Sequence, residues 1–120
     1  MSKDLTTPPP SRRFSTLLAS DSVAFEQNAK EATNFLKAIS HEGRLAILCR
    51  LYEGDCSVTE LEQFLNTRQA AVSQQLARLR YEGLVTTRRE GKTIYYSIAD
   101  PKVKQVIDLI YHLFCGDKEA

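Results

Sequence analysis

The sequence predicts a mainly α-helical domain with one small β-hairpin and a helix-turn-helix at its centre. Apolar residues recur at helical spacing in successive stretches between Val23 and Phe114. A short helical stretch opening at Ser57 is followed by a tight turn, Asn66-Thr67-Arg68, and then by a longer helix, which is the helix-turn-helix order. Two runs rich in Val, Thr, Ile and Tyr then flank Glu90-Gly91-Lys92, the pattern of a hairpin.

The elements can be justified in chain order. Half of residues 1–20 are Ser, Thr or Pro, including Pro8-Pro9-Pro10. Such a segment buries too little apolar area to offset its ordering entropy, so a solvated, disordered tail is expected there. The folded domain is expected over residues 21–116, with 117–120 as a short C-terminal tail. From Ser22, residues Val23, Phe25, Ala29, Ala32, Phe35, Leu36 and Ile39 trace a loose stripe along a helix of about four turns. Ser40 suits the N-cap of the next helix, His41 to Glu53. There Leu45, Leu48, Cys49 and Tyr52 fall at i, i+3, i+4 and i+7, which puts Cys49 on or beside the buried stripe. Gly54-Asp55 ends that helix.

Ser57-Val58-Thr59-Glu60 reads as a capping box, and Leu61, Phe64 and Leu65 supply the apolar face behind it. The second helix of the pair runs from about Gln69 to Glu82, with Val72, Leu76 and Leu79 on one side and Gly83 at its end. The strand-like runs are Leu84 to Arg89 and Thr93 to Ile98. Asp100 caps a last helix and Pro101 suits its first position. Its main stripe is Val103, Val106, Ile107, Ile110 and Phe114. Leu109, Tyr111 and Leu113 widen that stripe until the helix is apolar on most sides, as expected of a helix that also packs on a partner subunit.

Composition excludes several function classes. The 120 residues suit one domain, and 42% hydrophobic with 26% charged residues is ordinary for a soluble globular chain. A net charge of +1 argues against a polycation, and three cysteines argue against a disulfide-dense scaffold. Met1 to Leu18 lacks a signal-peptide pattern, and no uncharged apolar stretch reaches the roughly 18 residues a membrane span needs. The expected location is the cytoplasm, where thiols stay reduced and a cysteine pair serves chemistry rather than stapling.

The charge is unevenly spread. Between Thr67 and Lys92 stand six cations (Arg68, Arg78, Arg80, Arg88, Arg89 and Lys92) against Glu82 and Glu90. That window carries +4, so the rest of a +1 chain carries −3. A locally basic helix-turn-helix and hairpin suit phosphate neutralisation. With Val72, Leu76 and Leu79 facing the core, helical geometry turns Ala70, Gln74, Arg78 and Tyr81 outward, with Gln69 and Ser73 on a flank. Gln can pair in two places with adenine, Ser donates or accepts, and Ala70 with Ala71 permits close approach or contact with a thymine methyl. Arg88, Arg89, Lys92 and Thr93 on the hairpin suit the DNA backbone or the minor groove.

Several strings together carry a family resemblance over residues 24–115. They are Lys37-Ala38-Ile39-Ser40-His41-Glu42-Gly43-Arg44-Leu45, Val72-Ser73-Gln74-Gln75-Leu76-Ala77-Arg78-Leu79, Gly83-Leu84-Val85, and Arg88-Arg89-Glu90-Gly91-Lys92 with Tyr95-Tyr96. With them the chain resembles the ArsR family of small winged-helix repressors. The resemblance implies a winged helix-turn-helix fold and a homodimer with an all-α interface built from the first and last helices. It also implies binding to a pseudo-palindromic, double-stranded operator with half-sites about one turn apart. Members repress a promoter until an inducer binds.

The inducer class turns on the cysteines. Metal-sensing members often carry Cys-x-Cys at the start of the short helix, where this chain reads Ser57-Val58-Thr59. Others carry Asp-x-His on the last helix, where this chain reads Asp100-Pro101-Lys102, and His112 has no partner at a matching spacing. No metal ligand set and no cofactor is therefore expected. Cys49 and Cys115, with Arg68 to Leu76 in the reading helix, resemble the persulfide- and redox-sensing branch of the family, the SqrR/BigR type. That resemblance implies Cys49 and Cys115 as a sensing dithiol, bridged by a disulfide or a longer sulfur chain once a persulfide or polysulfide inducer arrives, with weaker operator binding as the result. By themselves the two read as a small buried hydrophobe and a packing residue near a helix end. Cys56 is expected in an exposed loop with no partner. A metal-responsive repressor and an inducer-independent winged-helix protein are the alternative readings. Catalysis is not expected: no phosphate-cradling Gly-rich loop, no Ser-His-acid grouping and no Cys-x-x-Cys is present.

Overall fold

In the computed structural model the described residues are 22–66 and 69–116. The expected tails, 1–20 and 117–120, and the turn residue Arg68 lie outside them. The chain divides into two units, Met1–Leu36 and Lys37–Ala120. Helix α1 (Ser22–Ile39) runs longer than the expected four turns, and Val23 and Leu36 of its stripe are exposed.

The second unit holds α2 (Glu42–Glu53), β1 (Cys56–Ser57), α3 (Val58–Leu65), α4 (Gln69–Tyr81), β2 (Val85–Glu90), β3 (Thr93–Ile98) and α5 (Pro101–Phe114). The predicted class, mainly helical with a small hairpin, is the one observed. The strands form an antiparallel sheet in the order β1-β3-β2, with Val85 opposite Ile98 and Glu90 opposite Thr93. Gly91 takes φ 65° at the first central position of the two-residue turn, a backbone that favours glycine. Beneath the sheet and helices lies one core built from Ile47, Leu48, Leu51, Leu61, Val72, Leu76, Leu79, Leu84, Val85, Val103 and Ile107.

The caps explain where the helices start and stop. Glu60 N–H donates to Ser57 Oγ at 3.2 Å while Ser57 N–H donates to Glu60 Oε1 at 2.9 Å, completing the predicted capping box. Replacing Ser57 by Ala should cost about 1 kcal/mol, read as a lower urea midpoint at unchanged slope. An unchanged midpoint would show that the box contributes nothing. At the end of α4, Gly83 N–H donates to the Arg80 carbonyl and Leu84 N–H to the Leu79 carbonyl, with Gly83 at φ 79°. These are the two reverse bonds of a Schellman closure. Asp100 Oδ1 accepts from Lys102 N–H at 2.9 Å, and Pro101 opens α5 as expected.

Four expectations are corrected. The cap of α2 is His41 rather than Ser40: its extended backbone and its Nδ1, which accepts from Gly43 and Arg44 N–H, start the helix one residue later. The buried stripe of α2 is Ile47, Leu48 and Leu51, whereas Cys49 and Tyr52 are exposed and Leu45 is half-buried. This helix touches α3, α4, α5 and β3, so its apolar arc is set by several neighbours rather than by one seam. Cys56 is not in an exposed loop. It forms β1, opposite Tyr96 on β3, and is wholly buried. Phe64 leaves the apolar face of α3 and lies exposed, with the Arg50 guanidinium 5.8 Å from its ring centre.

Candidate nucleic-acid interface

Three buried side chains, Val72, Leu76 and Leu79, fix the rotation of α4. That rotation leaves Gln74, Arg78 and Tyr81 exposed on the outer side, as the spacing predicts, and Ser73 on the flank is exposed as well. Gln69 and Ala70 open the same helix, and their side chains are outside the described set.

The polar flank of α4 is tied to α2 by Arg44. Its Nη1 donates to Gln75 Oε1 at 2.9 Å, its Nε to the Ala38 carbonyl at 2.6 Å and its Nη2 to the Lys37 carbonyl at 3.3 Å. One guanidinium thus anchors the reading helix to the segment before α2. Burial, then the nearby Arg78 cation, lower its pKa, and Glu82 opposes them. Sequence reasoning did not mark this residue as functional. A charged side chain on a half-buried helix face was the signal it offered.

The basic window is partly neutralised within the protein. Arg78 Nε pairs with Glu82 at 3.1 Å, one turn along the same helix. On the hairpin, Arg88 Nη1 pairs with Asp55 and its Nε pairs with Glu90 at 2.9 Å. The Arg88 guanidinium also sits 5.0 Å from the centre of the Tyr95 ring. Its hydrogen bonds to Glu90 and then to Asp55 hold its pKa above the usual arginine value. Among the described residues, no ion pair engages Arg80, Arg89 or Lys92, and all three are exposed. Among the described residues of the window, the free positive charge therefore sits at the end of α4 and at the hairpin tip, next to exposed Thr93.

The cysteines separate into two groups. Cys49 and Cys115 are free and exposed, and Cys56 is free and buried. Burial pushes the Cys49 thiol up, and negative charge on Cys115 and then on Glu53 pushes it further. Burial also raises the Cys56 thiol, against an opposing pull from Arg50. A polar bridge joins the two helices. The Tyr52 hydroxyl donates to Asp108 Oδ1 at 3.1 Å, joining α2 to α5, and His112 Nε2 lies 3.7 Å from the same oxygen. Among the described residues no three His, Cys, Asp or Glu side chains gather as a metal site would require, and no helix is long and apolar enough to cross a membrane.

The last helix is the other unfinished surface. Val103 and Ile107 are buried, but Leu109, Tyr111, Leu113 and Phe114 are exposed, Phe114 by 67%. The expected stripe therefore splits, with its N-terminal half in the core and its C-terminal end open.

Comparison with known proteins matches this architecture. The family model described as bacterial regulatory protein, arsR family, matches residues 41–87. A biofilm growth-associated repressor of Agrobacterium fabrum is 44% identical over 96 residues, covering 80% of this chain and 82% of that protein. The transcriptional activator HlyU of Vibrio cholerae is 44% identical over 90 residues, covering 75% and 83%. Among solved structures, the transcriptional repressor BigR from Xylella fastidiosa superposes with a TM-score of 0.72 at 42% identity, over 80% of this chain and 98% of that one. Reduced HlyU from Vibrio cholerae gives 0.74 at 43% identity, over 77% and 97%.

Proposed function

Because the chain belongs to the ArsR family of winged-helix transcriptional regulators, we propose that it is a homodimeric repressor that leaves its operator when a reactive sulfur species bridges Cys49 and Cys115. Its relatives are DNA-binding regulators and not enzymes. The sensing half is supported by where the two exposed thiols stand: Cys49 lies on α2, Cys115 is the C-cap of α5, and negative charge on Cys115 adds to the rise of the Cys49 pKa.

In this reading α4 enters the major groove. Gln69, Ala70, Ser73 and Gln74 meet base edges, while Arg68 and Arg78 meet the backbone. Arg89, Lys92 and Thr93 reach phosphate or the minor groove from the wing, and Arg88 joins them from an ion-paired starting position. The exposed end of α5, with α1, covers a second copy of the chain. A two-fold dimer then presents two reading helices to a pseudo-palindromic site.

The sensing chemistry balances with one persulfide. A thiolate attacks the sulfane sulfur of RSSH, the S–S bond breaks, RS⁻ leaves, and a protein persulfide forms. The second thiolate attacks the inner sulfur of that persulfide and HS⁻ leaves. Two protein thiols and one persulfide become a disulfide, one thiol and H₂S, and the sulfane sulfur takes the two electrons. Further persulfides reacting first lengthen the bridge.

The test treats reduced protein with a persulfide donor, then reads intact mass and operator binding. A Cys49–Cys115 linkage together with weakened binding supports the reading. An unmodified mass, or a modified protein with unchanged affinity, overturns it.

The DNA contacts have their own expected outcomes. Gln74→Ala should cost about 1–3 kcal/mol at the base pairs it reads and relax preference there. Arg89→Ala should weaken all duplexes alike and reduce the salt slope by about one. Binding to a panel of single-base operator variants at several salt concentrations separates the two. A uniform loss for Gln74→Ala would remove it from base reading.

A further inference from the structure

Arg88 reaches outside its own hairpin for one of its partners. Asp55 lies in the loop after α2, 33 residues away in sequence, while Glu90 stands two residues along β2. Two different nitrogens of one guanidinium are held by two different carboxylates, and the Tyr95 ring lies against the group. A guanidinium fork held in this way is presented with oxygen ligands such as a phosphate would offer. The partners are accessible: the Arg88, Asp55 and Glu90 side chains are 46%, 39% and 59% exposed. The cluster sums to −1, and its Arg88 and Glu90 stand on the same hairpin as exposed Arg89 and Lys92.

We propose that Asp55, assisted by Glu90, acts as an internal stand-in for a DNA phosphate, holding Arg88 in the free protein and yielding it when DNA binds. This rests on the DNA-binding reading above. Asp55 thereby sets affinity without touching a base. Each binding event must break the Arg88 pair. Exposed ion pairs are weak, so the exchange is feasible on an encounter with phosphate. High salt screens both the internal pair and the phosphate contact, so the salt dependence of binding reports on the exchange.

The experiment measures binding of wild type, Asp55→Asn, Arg88→Ala and the double variant to one duplex. The duplex is about 30 base pairs, roughly three helical turns, selected by the wild-type protein from a random-sequence pool. Asp55→Asn is expected to bind about twofold to fivefold tighter with a steeper salt slope, and Glu90→Gln to shift binding in the same direction by less. In the Arg88→Ala background the Asp55→Asn gain should vanish. Two results would overturn the proposal. Equal or weaker binding by Asp55→Asn would make the pair a strut that sets the wing. A gain that persists without Arg88 would reduce it to general charge removal. Failure of the DNA-binding reading shows separately, as absence of salt-dependent binding by wild type, and takes the proposal with it.

Discussion

Cys49→Ser protein treated with a persulfide donor is expected to keep its full operator affinity, while treated wild type loses at least about tenfold. A tenfold loss needs about 1.4 kcal/mol of coupling between the bridge and the DNA-binding state. Two hydrogen bonds join the helices concerned. The Tyr52–Asp108 hydrogen bond holds α2 against α5 one turn from Cys49, and α2 in turn anchors α4 through Arg44 and Gln75. A covalent link between Cys49 and Cys115 fixes a spacing that the reduced protein sets only through weak contacts. Cys115→Ser should behave like Cys49→Ser, whereas Cys56→Ser should leave the response intact, because Cys56 is wholly buried in strand β1. Loss of the response in Cys56→Ser but not in Cys49→Ser would reassign the pair.

The same thiol gives a pH dependence of definite sign. Burial raises the Cys49 pKa above its ordinary value, so the reactive thiolate is scarcer at neutral pH than on a free cysteine. Wherever Cys49 is the attacking group, bridging should speed up as pH rises through and beyond the usual thiol range, and slow as pH falls. Rates of linkage formation measured by quenched mass spectrometry across that range check the sign. A rate that declines with rising pH would show that Cys49 is not the attacking thiolate.

What the sequence made legible was what is decided locally. The Ser57–Glu60 box, the Asp100-Pro101 start and the Gly83 stop are each specified within a few residues, and each stands where the spacing placed it. The Val72-Leu76-Leu79 stripe was equally readable because α4 has a single buried face. The misses share a different cause. Strand β1 is two residues long and exists because the edge of β3 is available, so nothing local announces it, and Cys56 reads from sequence as a loop residue. The stripe of α2 was misphased because a helix surrounded by several elements buries more than one seam. The partners of the site cations were hidden for the same reason. Arg88 meets Asp55 across 33 residues and Arg44 meets Gln75 across 31. A count of charges in a window could not show that part of its surplus was already neutralised.

Leu76→Ala should destabilise the protein by about 2–5 kcal/mol. The side chain is fully buried on the core face of α4, with Val72 and Leu79 of the same stripe also closed to solvent. Truncation loses the transfer energy of the removed carbons and leaves a cavity that this close-packed interior can only partly collapse around. Against a typical total of about 5–15 kcal/mol, that is a large share of the folding free energy. The urea midpoint should fall sharply while the slope stays constant, provided the variant still unfolds in one step. Tyr81→Ala on the same helix makes the contrast. Tyr81 is 86% exposed, so its loss should change stability by no more than about 0.5 kcal/mol. The pair also separates folding from function. Leu76 sets the rotation and seating of the reading helix, so at a urea concentration where the variant remains folded its operator affinity should still be lower than wild type. If Leu76→Ala unfolds at the wild-type midpoint, α4 is not held by this stripe. The outward placement of Ser73 and Gln74 would then need another explanation.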